Sequence, residues 1–213
     1  MYKRQALIQL FYEWDWDKAY KSFQKALEIN QGSADVHYTY ALYLIAMGRL
    51  REALDETERA QTLDPLSLPI NMQLGSIYYY LRNYDEALQQ YNKTLELDPN
   101  FRNVFYGLGW TYLALGNTEK AIEMILNAQK LAGNDLKGVS VLGYAYAKAG
   151  MIEKTKECIQ KLNERKNLDM QASLNMDLAI LYTGLKDYDK VFYYLDLAAV
   201  SYTHLTLPTN REV

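Results

Sequence analysis

Leu74-Gly75-Ser76-Ile77-Tyr78 decides the fold, because its frame returns as Leu108-Gly109-Trp110-Thr111-Tyr112 and as Leu142-Gly143-Tyr144-Ala145-Tyr146. The copies are evenly spaced along the chain. Ala53, Ala87 and Ala121 keep the same step, as do Pro65 and Pro99. A period of about 34 residues marks one supersecondary unit stacked on copies of itself.

Gly75, Gly109 and Gly143 fall inside helical patterns, where glycine costs about 1 kcal/mol relative to alanine. The cost is tolerable where a neighbouring helix must come close. Ala53, Ala87 and Ala121 offer the matching small surface on a second helix. Large residues such as Phe23, Tyr78, Tyr91 and Tyr112 then fill the space between helices. Asp15, Asn83, Asn117 and Asp187 precede second helices, where a short polar side chain caps free N–H groups. Gly48, Gly116 and Gly150 end the first helices, and Pro65 and Pro99 stop the second ones.

This pattern resembles the tetratricopeptide-repeat family, in which a Leu-Gly-x-x-Tyr helix is followed by a turn and a second helix carrying alanine and an aromatic. The copies are 6–33, 34–67, 68–101, 102–135, 136–169 and 172–199. The fifth has Thr155 in the alanine position and lacks the closing proline; the sixth has Val191 there. An extra pair of residues breaks the spacing near Asn167 to Gln171. The resemblance implies an all-α fold, a right-handed superhelical solenoid of antiparallel helix pairs in about six repeats. It also implies a groove lined by the first helices. Carried onto this sequence, its positions are Tyr38, Leu42 and Ile45; Met72, Ser76, Tyr79 and Tyr80; Tyr106 and Trp110; and Lys137, Tyr144 and Lys148. The carboxylate clamp of chaperone-binding members needs Lys, Asn and Arg at set groove positions, and neither candidate triplet of helices supplies them. No carboxylate-clamp chaperone peptide is therefore expected as a partner.

Glu13-Trp14-Asp15-Trp16-Asp17-Lys18-Ala19, Tyr40-Ala41-Leu42-Tyr43-Leu44 and Leu63-Asp64-Pro65-Leu66-Ser67-Leu68 are similar to one bacterial group. There a repeat array follows a winged-helix, nucleotide-cyclase or serine/threonine-kinase domain. The resemblance implies a protein–protein interaction scaffold binding a peptide or helix, a fragment of a larger bacterial signalling or regulatory protein. The alternative is the regulatory portion of a multidomain enzyme or transcription regulator whose effector domain lies elsewhere.

The chemistry agrees with a binding role. The chain has 213 residues, a net charge of -3 and 49% hydrophobic residues. No basic stretch is present to neutralise phosphates, so nucleic acid is not an expected partner. No run reaches the roughly 20 apolar residues that span a bilayer. His37 is the only histidine outside the C-terminal segment and reads as a helix-face residue. Cys158, the single cysteine, reads as a small buried hydrophobe and fits a reduced, cytoplasmic setting. Gly107-Leu108-Gly109 fails as a phosphate loop because Tyr112 stands in place of the third glycine and no strand precedes it. The carboxylates Glu13, Asp15 and Asp17 coincide with an inter-helix turn, with Trp14 and Trp16 as packing. No catalytic set, cofactor site or metal site is expected.

The two ends read differently. Val200 to Thr209 lacks a helical apolar period and resembles the translation of a sequencing-library adapter. Met1-Tyr2-Lys3-Arg4-Gln5 resembles the same adapter read in the opposite direction. Residues 1–5 and 200–213 are accordingly expected to stand apart from the array at 6–199 and to pack poorly.

Overall fold

A computed structural model of the chain describes residues 2–132, 138–164 and 171–206. Its described residues form twelve helices and no strand: α1 (Tyr2–Phe11), α2 (Trp16–Ile29), α3 (Ala34–Ala46), α4 (Leu50–Leu63), α5 (Leu68–Tyr80), α6 (Tyr84–Leu97), α7 (Arg102–Ala114), α8 (Thr118–Ala132), α9 (Val139–Lys148), α10 (Ile152–Asn163), α11 (Gln171–Leu185) and α12 (Tyr188–Thr206). They belong to two compact units, Met1–Thr111 and Tyr112–Val213.

In the first unit α1 packs on α2, α3 on α4 and α5 on α6, while α2 meets α3 and α4 meets α5. Ala19, Ala53 and Ala87 are fully buried at these crossings. Phe23, also fully buried, lies with its ring 5.7 Å from that of Tyr40 and 5.8 Å from that of Tyr43. Burying a ring of this size stabilises the pair by about 1.5–3 kcal/mol. The atoms nearest a Cβ on Gly75 belong to Tyr91. A Cβ on Gly75 would stand 2.6 Å from that ring, and one on Gly107 would stand 2.5 Å from it. The Tyr91 ring therefore lies in close contact with two glycines, one on α5 and one on α7.

In the second unit α9 packs on α10 and on α11, and α11 on α12. Thr155 is fully buried where alanine is usual, and its hydroxyl donates to the carbonyl of Met151 one turn back. The substitution thus adds no orphaned polar group to the core. Cys158 is buried, as its sequence context predicts, and burial pushes its thiol up to about 11. Alkylation of the native chain at about pH 8 should run more than about a hundredfold slower than that of a free thiol, and should accelerate on unfolding. Mass spectrometry of iodoacetamide-treated protein reads this directly.

The turns carry the period most clearly. Left-handed backbone occurs at Trp14, Gly48, Arg82, Gly116 and Gly150, each one repeat period after the last, and then at Lys186. The final step is longer than the others, matching the extra pair near Asn167 to Gln171, which falls largely outside the described residues. Trp14 is half-exposed at this turn position rather than packed into the core, with its ring edge-on to Trp16 at 5.9 Å. A left-handed non-glycine residue costs about 1–2 kcal/mol, offset in glycine by about 0.5–1 kcal/mol of chain entropy. Arg82→Gly should therefore stabilise the chain by about 0.5–1 kcal/mol. A thermal melt checks it, with Lys93→Gly, inside α6, as the destabilised control.

The caps are met with one exception. Asp15, Asn117 and Asp187 accept from the N–H groups of Lys18, Lys120 and Lys190. Asn83 holds the same position, but its side chain makes no cap bond; only its backbone carbonyl accepts, from Ala87.

Helical structure enters both end segments. α1 starts at Tyr2; the Lys3 ammonium pairs with Asp35, and Lys25 lies 4.6 Å from the centre of the Tyr2 ring. α12 continues to Thr206, beyond the last residue with a helical apolar period. Extending an existing helix adds a hydrogen bond for each residue fixed, so a segment without its own apolar pattern can still follow.

Candidate functional site

Tyr38, Leu42 and Ile45 are spaced by four and three positions and so share one face of α3. Met72, Ser76 and Tyr80 do the same on α5. These faces converge, together with Pro69, Gln73, Phe101 and Asn103, around a cleft of about 540 Å³ in the first unit. None of its ten lining side chains is charged.

Much of the polar character is used internally. Gln73 donates to the carbonyl of Tyr38 at 3.3 Å and accepts from Thr57 at 3.3 Å. The Ser76 hydroxyl donates to the carbonyl of Met72 at 3.1 Å and accepts from Tyr91 at 3.2 Å. Burial first, and Asp35 second, raise the Tyr38 phenol above its ordinary value, so it stays protonated at neutral pH. Burial pushes Tyr91, beneath Ser76, up to about 12.

The other residues expected in the groove are distributed differently. Tyr79 is half-buried, its ring 5.6 Å from Tyr80 and 5.9 Å from Tyr84. Tyr106 and Trp110 lie half-buried on α7 and do not line this cleft. Tyr144 is half-buried and Lys148 exposed on α9 in the second unit, and Lys137 lies outside the described residues. The groove set carried over from the repeat leaves out Pro69 and also Asn103, which enters the sequence reading only as a tested clamp position. They are equivalent positions of successive repeats, and each sits one turn before a recognised groove position, Met72 and Tyr106. Extending each groove stripe one turn toward the helix start finds both.

A second cavity of about 530 Å³ brings His37, Glu56 and Arg59 together with Leu27, Gln31, Thr62 and Leu63. His37 is buried rather than a simple helix-face residue. Its Nδ1 lies 2.6 Å from Glu56 and its Nε2 2.8 Å from the carbonyl of Gln31, while Arg59 donates to Glu56 at 2.9 Å. Converging titratable groups would suit catalysis, but both ring nitrogens already face protein acceptors and neither is presented to a substrate. The same latch recurs one repeat later. Asn71 bonds the carbonyl of Pro65 and the side chain of Gln90, each at the repeat-equivalent position of its counterpart around His37. A histidine replaced in the next repeat by an asparagine doing the same work is a fold element.

The Glu13–Asp17 turn behaves likewise. Asp15 caps the N–H of Lys18 and pairs with its ammonium at 2.8 Å. The carboxyl of Asp15 is lowered chiefly by that pairing, and next by the backbone bond. Among the described residues no group of three or more His, Cys, Asp or Glu side chains could hold a metal ion. Among the described residues no helix is long and apolar enough to cross a membrane.

Known proteins with this arrangement are repeat proteins. A thermophilic tetratricopeptide-repeat protein from Thermus thermophilus is similar in structure with a TM-score of 0.70 and 22% identity, covering 83% of this chain and 97% of that one. PilF of Pseudomonas aeruginosa gives 0.66 at 22% identity, covering 93% and 90%. YrrB, described as a repeat protein with an unusual peptide-binding site, gives 0.53 at 24% identity, covering 83% and 90%. A comparison with curated protein sequences finds no match. Family models described as tetratricopeptide repeat match residues 10–70 and 103–135, and one described as TPR repeat matches 75–116. The recurrent turns, the buried alanines and these matches agree, and the chain belongs to the tetratricopeptide-repeat family.

Proposed function

We propose that this chain is a non-catalytic scaffold that docks a segment of another protein in the cleft between α3, α5 and the start of α7. The parent would be a larger bacterial signalling or regulatory protein, with the array at 6–199 as its interaction module. The observation that carries the reading is the convergence of Tyr38, Leu42, Ile45, Met72, Ser76 and Tyr80 on one cleft. All six follow from repeat position alone, and one cleft unites them. Apolar and aromatic surface on a preformed scaffold is where binding anchors concentrate. Tyr79, Tyr106 and Trp110 in the first unit, and Lys137, Tyr144 and Lys148 in the second, are proposed as groove positions within their own units on the same logic of repeat equivalence.

A photo-crosslinking amino acid placed at Tyr80, which is 52% exposed, tests the reading in cells. Defined protein adducts should form there and should be suppressed by Leu42→Glu. The same probe at Glu119, an exposed position on α8, is the control. Equal adduct patterns at the two positions would remove the cleft as the docking surface. Truncating an anchor aromatic commonly costs about 2 kcal/mol, so Tyr80→Ala should weaken an identified partner by about thirtyfold.

A further inference from the structure

We infer that the cleft selects an extended, uncharged peptide segment with apolar side chains, and reads its main chain through Asn103. This rests on the docking reading above and names the chemistry of its ligand. Charged residues make up 23% of the chain, yet the ten lining side chains include none. An ionised group entering between Leu42, Met72 and Phe101 would lose water and meet no charged lining side chain, a cost its apolar neighbours cannot offset. The selectivity is therefore against acidic and basic segments alike.

The polar groups indicate the conformation of the occupant. Gln73 and Ser76 are engaged within the protein. Asn103 is exposed at the edge of the cleft, and its carboxamide carries both donors and an acceptor. That combination matches a peptide N–H and C=O on one residue. An extended segment has both groups available, whereas a helix has spent them internally. Met72, unbranched and polarizable, lets the floor adapt to different apolar side chains.

The experiment uses the full chain labelled with 13C at the methionine methyls, with the Met72 resonance identified through Met72→Leu. The probes are arrays of end-capped nonapeptides of neutral apolar, acidic and basic composition, with the best of each class then titrated singly. Neutral peptides should shift Met72 and bind at least about tenfold tighter than either charged class. Their affinity should change less than about twofold on going to high salt, because no exposed charge pair is formed. Asn103→Leu, at an exposed position that leaves the fold intact, should weaken them about tenfold, with the helical signal unchanged. Tighter, salt-sensitive binding of a charged class overturns the selectivity and leaves docking standing. Undiminished binding by Asn103→Leu overturns the main-chain reading in favour of a docked helix. No Met72 shift from any class removes the docking site itself.

Discussion

Replacing Tyr91 by alanine should lower the unfolding free energy by about 3–5 kcal/mol and turn Gly75→Ala from a damaging change into a favourable one. Tyr91 on α6 is 2% exposed, and its ring lies against Gly75 of α5 and Gly107 of α7. Truncation removes a large buried ring and leaves a cavity that three helices cannot close without moving. In the native background Gly75→Ala sets a methyl 2.6 Å from that ring. The ring has little room to shift, because a Cβ on Gly107 would also stand 2.5 Å from it. Overpacking of this kind costs about 1–3 kcal/mol. Once the ring is gone the methyl has room, and alanine gains about 1 kcal/mol over glycine through helix propensity. The sign of the Gly75→Ala effect should therefore reverse between the two backgrounds. Urea unfolding of the four proteins in the cycle measures the coupling, and hydrogen exchange in α5 and α6 localises it. Additive effects would mean that the ring does not fill this space.

The sequence carried the period of the array because small residues and turns recur in identical places. It did not carry what each small residue touches. Gly75 and Ala87 look like partners when the repeat frames are laid side by side, since both are small. The nearest contact of Gly75 is with tyrosine, and Gly107, outside the repeated Leu-Gly pair, approaches the same ring. Gly107 could have been flagged, because a second helix-interior glycine just before Gly109 adds its own propensity cost without an apparent return. The cleft followed the same division. Its stripes on α3 and α5 follow from helical spacing, whereas Phe101 precedes α7 and so lies outside any helical stripe. The His37 latch was hidden because its partners, Gln31 and Glu56, come from a loop and a later helix. At the C-terminal end α12 runs to Thr206 through residues that have no apolar period of their own.

Asn71 should be the costliest polar residue to replace, with Asn71→Leu destabilising by about 2–4 kcal/mol although leucine is the more apolar side chain. Asn71 is fully buried on α5. Its amide donates to the carbonyls of Pro65 and Ser67, each at 2.9 Å, and its oxygen accepts from Gln61 and Gln90, each at 2.7 Å. One side chain thus joins the α4–α5 loop, α4 and α6, with its hydrogen-bonding capacity filled. Leucine would leave the Pro65 carbonyl and the buried Gln90 amide without this partner, and each unsatisfied group costs about 1–3 kcal/mol. Asn71→Asp should be at least as damaging, because it keeps the acceptors but points a second oxygen at two carbonyl oxygens. Gln61→Ala should cost less, about 1 kcal/mol, since Gln61 is only partly buried and Gln90 still reaches the same oxygen. The preceding repeat supplies the complementary test. His37 and Glu56 occupy the positions of Asn71 and Gln90, with Gln31 in place of Pro65 as the carbonyl. His37→Asn combined with Glu56→Gln should therefore rebuild the later latch in the earlier repeat and unfold at nearly the native urea concentration. His37→Leu alone leaves Glu56 in a part-buried site with only Arg59 beside it, and should cost about 2 kcal/mol or more. A double variant no better than His37→Leu would show that the two latches are not interchangeable, and that the imidazole does something in this repeat which an amide cannot.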